Sequence, residues 1–141
     1  MDDLKAKILD IIGKPVLGAL ATITEDGKPW TRYVVPVATQ DLTICFATFL
    51  HSRKVDHLRK NPNVHLTAGN NTLDNMGLPY LQVAGQAEIS TDSVIKHQFW
   101  SPELETFFSG PDDPNYCVVV ITPERIEYQT FESMKPEVWE P

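Results

Sequence analysis

The sequence predicts a mainly β protein: an antiparallel barrel, closed or nearly so, with peripheral α-helices. Three observations carry that expectation. Six or so short runs of apolar and β-branched residues recur along the chain, and most are joined by hairpin-type turn residues. No strand alternates with a long helix, as a doubly wound sheet would require. The length, 141 residues, fits one core, so residues 1–141 are expected to form a single domain.

Taken in order, Leu4, Ile8, Ile11 and Ile12 repeat at helical spacing, and Gly13-Lys14-Pro15 stops them, predicting a helix over 2–12. Val16–Thr24 is small, apolar and β-branched, a strand, and Glu25-Asp26-Gly27-Lys28 turns it into a second strand, Trp30–Val37. Pro36 cannot donate to a ladder and marks an edge or a bulge. After a turn at Thr39-Gln40-Asp41, Leu42–Thr48 is expected to complete a three-stranded meander. Ser52 then reads as the N-cap of a short helix that ends at Asn61-Pro62. Strands follow at Val64–Gly69 and Tyr80–Ile89, the latter with Gly85 as a bend. Thr91 or Ser93 caps a helix to Trp100, and Pro102 opens another to Phe108. Tyr116–Ile121 and Arg125–Phe131 are the last strands, divided by Pro123, and the tail from about 132 to 141 is expected to lack structure of its own.

Composition excludes several classes of function. The 19 acidic residues against 12 Lys plus Arg give a net charge of −7, which disfavours nucleic acid, since phosphate neutralisation needs surplus cations. No apolar run approaches the ~20 residues that span a bilayer, so no membrane segment is expected. Cys45 and Cys117 lie singly in apolar strand runs, which fits reduced core thiols and a cytoplasmic location. The acidic N-terminus does not read as a signal peptide. His51, His57, His65 and His97 are scattered without ligand spacing, so no metal site is expected, and no nucleophile-elbow, Walker or dinucleotide motif occurs.

The cations are not spread evenly. Four of the twelve lie between His51 and Lys60. With Ser52 as cap, Arg53 and Lys54 fall in the first helical turn, where each meets the positive helix end at a cost of about 0.3–1 kcal/mol. A bound anion reverses that sign, because free N–H groups, hydroxyls and two cations then converge on it; a phosphate monoester is the natural ligand. Side chains simply pointing into water are the competing reading. Arg32 stands inside the apolar run Trp30–Val35 and needs either a partner or an outward-facing position.

These pieces in this order resemble a known family. The matching segments are Gly18-Ala19-Leu20-Ala21-Thr22, Glu25–Pro29, Thr31–Pro36, Phe46-Ala47-Thr48 through Ser52-Arg53-Lys54-Val55, Asn61–Val64, Val83–Glu88, Trp100–Leu104, Gly110–Pro114 and Ile126-Glu127-Tyr128. Together they are similar to the FMN-binding split-barrel family related to pyridoxamine 5′-phosphate oxidase, and most of all to its short general-stress-protein branch. The resemblance implies a six-stranded split barrel and a homodimer with FMN sites at its interface. It implies that Arg53, Lys54, Thr48 and Ser52 hold the phosphate, with Arg32 near phosphate or ring. Tyr33, Val34 and Val35 would line the isoalloxazine, with Ala47 adjoining, and Tyr80 stands where the vitamin oxidase has a flavin-contacting glutamine. Trp100, Phe107, Phe108 or Trp139 would supply an aromatic wall, unless they serve only in packing.

The same resemblance implies a flavin-dependent oxidoreductase, with NADH or NADPH as a possible donor, but no catalytic residue. The vitamin oxidase grips its substrate with a C-terminal extension that this sequence does not match, so pyridoxamine phosphate oxidation is not expected. Three alternatives remain open: a flavin carrier or sensor without turnover, a barrel that binds deazaflavin F420 or haem, as related branches do, and a barrel that has lost cofactor binding and acts through dimer contacts.

Overall fold

Apolar residues at every second position drive the first hairpin. The computed structural model describes residues 3–69 and 72–141. In strand β1 (Gly18–Ile23) it buries Gly18, Leu20 and Thr22, with the alternate residues half-buried. Gly27 takes φ +82°, which only glycine adopts freely, and returns the chain as β2 (Pro29–Val34), in register from Gly18 opposite Val34 to Ile23 opposite Pro29. Helix α1 (Asp3–Ile12) packs Ile8 and Ile12 into the core; the expected start at Asp2 lies outside the described residues.

Pro36 then decides the topology. Strand β2 ends at Val34 and β3 (Val37–Ala38) begins after the proline. The remaining strands are β4 (Ile44–Phe49), β5 (Asn63–Ala68), β6 (Tyr80–Ser90), β7 (Tyr116–Gln129) and β8 (Glu137–Trp139). Their order in one sheet is β2-β1-β5-β6-β7-β4-β3, all antiparallel, with β8 on β7. Strands β2 and β3 lie at opposite ends of that order, yet only Val35 and Pro36 join them. Two linking residues reach about 10 Å, so the sheet has to curl until its ends meet. The result is a split barrel, with Leu20, Ile44, Phe46, Leu66, Val83, Ile121 and Ile126 packed inside.

Several expectations change. Eight strands form among the described residues rather than six. The meander is not continued, because β4 pairs with β3 and β7 instead of β2. Pro123 does not divide the last strand: it sits opposite Gly85 at a register shift, where a residue without an N–H is tolerated. The tail is not unstructured, since β8 pairs with β7 and Trp139 packs on the core. Asp92, not Thr91 or Ser93, caps α3 (Ser93–Phe99), its Oδ1 accepting from Val94 N at 2.8 Å. The segment Pro102–Thr106 is a 3₁₀ turn rather than an α-helix.

Candidate functional site

Strand β4 delivers the chain to helix α2 (Arg53–Lys60), anchored by Val55 and Leu58. Ser52 occupies the N-cap in an extended conformation, as the sequence leads one to expect, but its hydroxyl makes no capping bond. Its Oγ is buried with no hydrogen-bond partner. An unmet buried hydroxyl costs roughly 1–3 kcal/mol, and the first-turn N–H groups beside it also lack a cap. That combination is an anion site in the making.

Three cations stand in one neighbourhood, with Arg32 in electrostatic reach of both Arg53 and Lys54. Lys54 Nζ donates to Thr48 Oγ1 at 2.8 Å. Arg32 lies on the face of β2 shared with buried Val34, not on the solvent face; its Nη1 donates to Thr22 Oγ1 at 2.7 Å, Trp30 O at 3.1 Å and Leu20 O at 3.2 Å. Arg53 follows Ser52 and is exposed. Among the described residues none of the three has a carboxylate partner. Burial and then the Arg32 guanidinium hold the Lys54 ammonium below its ordinary range; burial and then Arg53 do the same to Arg32.

That frustration is measurable. A lysine with a lowered folded-state pKa destabilises the folded chain in full below that pKa, and the penalty disappears as pH rises toward 10.5. Replacing Lys54 with Met is therefore expected to raise the melting temperature of the ligand-free protein at neutral pH. Lys54 is only half-buried, so solvent screening limits the gain to about 1 kcal/mol, or about 3–5 °C. Thermal melts of both proteins across pH 7–10 check it: the gain should shrink as the pH rises, and a constant or growing gap would show that electrostatics is not its cause.

Beside the cations lies a cavity of about 550 Å³. Tyr33, Val34 and Val35, then Ala47, Thr48, Phe49 and Lys54, and Phe107 and Phe108 all line it. The Phe49 and Phe108 rings lie 4.8 Å apart between centroids, tilted at 48°. The structure thus brings Tyr33, Val34, Val35, Ala47, Thr48, Lys54 and two of the four aromatics to one cavity, whereas Arg32 and Ser52 do not line it. Trp100 instead packs on Tyr116, and Trp139 lies on β8 against the core. Tyr80 is outside the lining: it pairs with Gln129 at the start of β6, its ring 6.3 Å from that of Phe131. Arg53 lines a second, polar cavity of about 410 Å³, together with Glu25, Asp56, His57, Arg59 and Lys60.

Two residues escaped the sequence reading. Thr22 is fully buried, and its hydroxyl lies 2.8 Å from His57 Nδ1 as well as 2.7 Å from Arg32. A hydroxyl in core register with Gly18 and Leu20 was the available signal. Elsewhere, burial pushes the thiols of Cys45 and Cys117 up, so neither is an activated nucleophile. Among the described residues no three His, Cys, Asp or Glu side chains gather around a metal-sized space, and no helix is long and apolar enough to cross a membrane.

The family model for pyridoxamine 5′-phosphate oxidase matches residues 4–130. The chain belongs to the pyridoxamine 5′-phosphate oxidase family. General stress protein 26 of Bacillus subtilis (strain 168) is 38% identical over 124 residues, 88% of this chain and 86% of that protein. A crystal structure of general stress protein 26 from Bacillus anthracis str. Sterne superposes with a TM-score of 0.84 at 32% identity, covering 99% of this chain and all of that one. The pyridoxine/pyridoxamine 5′-phosphate oxidase of Citrobacter koseri is 32% identical over 87 residues, which span 61% of this chain but only 38% of that oxidase.

More distant members of the fold carry different ligands in their names. They include a pyridoxamine 5′-phosphate oxidase-related, FMN binding protein from Nostoc punctiforme (18% identity, 87% and 78% covered, TM-score 0.67) and an F420 reductase (23%, 84% and 94%, 0.65). A haem-binding protein from Mycobacterium smegmatis shares the fold too (15%, 96% and 56%, 0.73).

Proposed function

We propose that this chain binds FMN as a homodimer and acts as a flavin-dependent oxidoreductase whose substrate is not pyridoxamine 5′-phosphate. The observation that carries the reading is the buried, partnerless Ser52 Oγ at the start of α2, followed by Arg53 and Lys54, both without a carboxylate partner among the described residues and both within reach of the Arg32 charge. A phosphate monoester meets every one of those needs: it accepts from Ser52, from the first-turn N–H groups, and from Lys54 and Arg53. Thr48 holds Lys54 in position for it, and Arg32 adds a third positive charge from the core side of β2.

The apolar cavity, lined by Tyr33, Val34, Val35 and Ala47 among others, suits the flat ring. Tyr33 is 75% exposed, Val35 54% and Phe107 62%, which is the open apolar rim that a second copy of the chain would cover. Tyr80 enters this reading only as a contact made across the dimer. Bound FMN would supply the hydride or electron transfer that no side chain here can perform. The protein's part is to bind the phosphate, orient the ring and exclude water.

Among the alternatives, haem fits least: among the described residues Tyr33 is the one side chain lining the cavity of a type that ligates haem iron, with no His, Cys or Met beside it. Deazaflavin F420 competes for the same apolar space. The test is direct. Purified protein should elute at about twice 15.9 kDa and carry, or take up, one FMN per protomer in preference to F420 or haem. A preparation that binds F420 or haem but not FMN would sink the proposal. Anaerobic bleaching by NADH or NADPH, followed by reoxidation with an acceptor, is the expected oxidoreductase behaviour; a flavin that stays oxidised would make the protein a carrier instead.

A further inference from the structure

Resting on the FMN reading, we infer that Thr22 and His57 are positioning residues that aim Arg32 at the ligand's phosphate. Arg32 Nη1 spends its hydrogens on Thr22 Oγ1, Trp30 O and Leu20 O, while Nε and Nη2 make no hydrogen bond among the described residues. The guanidinium is therefore pinned at one corner, with its remaining donors free. Its side chain lies close enough to Arg53 and Lys54 to repel both charges. A free arginine would turn away from such neighbours into water; this one is restrained.

Of the three acceptors that hold Nη1, the shortest, Thr22 Oγ1, is the only side chain; the other two are backbone carbonyls. Thr22 is fully buried and sits on β1 opposite Trp30, two residues from the position that faces Arg32. Its oxygen accepts from Arg32 and shares a second hydrogen bond with His57 Nδ1, 2.8 Å away. His57 projects from α2, the helix that Ser52 caps. The chain Arg32–Thr22–His57 thus ties the strand-borne cation to the helix that bears Ser52, Arg53 and Lys54. It fixes the spacing between Arg32 and the other two cations, which a phosphate needs and a neutral ligand does not.

Riboflavin, which carries the same ring without the phosphate, separates this role from plain packing. In fluorescence titrations of the flavin-free full-length chain, Thr22→Val should weaken FMN by about tenfold while riboflavin affinity stays within about twofold. Thr22→Ser, which keeps the hydroxyl, should restore FMN binding. His57→Leu should lose it in the same phosphate-dependent way, and His57→Asn, with a hydrogen-bonding amide where Nδ1 stood, should recover most of it. Equal losses for FMN and riboflavin, or no loss of FMN affinity in Thr22→Val, would overturn the positioning role while leaving the FMN reading intact. Wild-type protein that binds neither flavin would overturn both.

Discussion

Replacing Arg53 and Lys54 together with Ala is expected to weaken FMN by roughly 10²–10⁴-fold, because each charge-assisted hydrogen bond to phosphate is worth about 1.5–3 kcal/mol. The fold should survive. Arg53 is exposed, Lys54 is half-buried, and helix α2 is held by the buried Val55 and Leu58. The ligand-free variant should even melt at or above the parent, since two like charges leave the neighbourhood of Arg32. Equilibrium dialysis against FMN, with a thermal melt on the same sample, reads both quantities. Unchanged affinity would show that the phosphate lies elsewhere; lost affinity with a collapsed melt would show that the two residues serve the fold.

What made this pair visible in the sequence is that its chemistry is local. A cap residue, two cations and a helix are contiguous in Ser52-Arg53-Lys54-Val55, so the cost of cations at a helix start can be read without any tertiary information. The same holds for the Gly27 hairpin and for Pro36 as a break. Arg32 was legible only as a charge in an apolar run. Its inward orientation depends on the register that sets it opposite Leu20 and on Thr22, which the helix from Arg53 to Lys60 meets through His57. Thr22 and His57 were invisible for that reason: a buried hydroxyl and a helix histidine acquire meaning only when β1 and α2 are packed. Likewise the pairing of β4 with β7 rather than β2 follows from barrel curvature, a property of the whole sheet. Pro123 and the tail were misread because each departs from local propensity once a partner strand is present.

Gly85→Val is expected to be among the most damaging single substitutions in the chain, for a reason that also reaches the site. Any Cβ at position 85 would stand 2.6 Å from Thr122 O, 3.1 Å from Pro123 Cα and 3.2 Å from the Ile121 side chain. Two of those atoms are backbone and cannot swing aside. Relief would require β6 and β7 to part at their register shift, where Gly85 faces Pro123. Overpacking of this kind costs about 1–3 kcal/mol for tolerable cases, and a branched side chain against backbone belongs at or above the upper end. A fall in melting temperature of about 10 °C or more follows for a domain of this size. Gly110→Ala is the control: its Cβ meets nothing within 4 Å, and its φ is not positive, so its melt should be unchanged or slightly higher. Strand β7 also carries Cys117 opposite Thr48, the residue that receives Lys54. Gly85→Val protein that remains folded at low temperature should therefore bind FMN more weakly as well, whereas equal melts for the two glycine variants would show that the strands separate there at little cost.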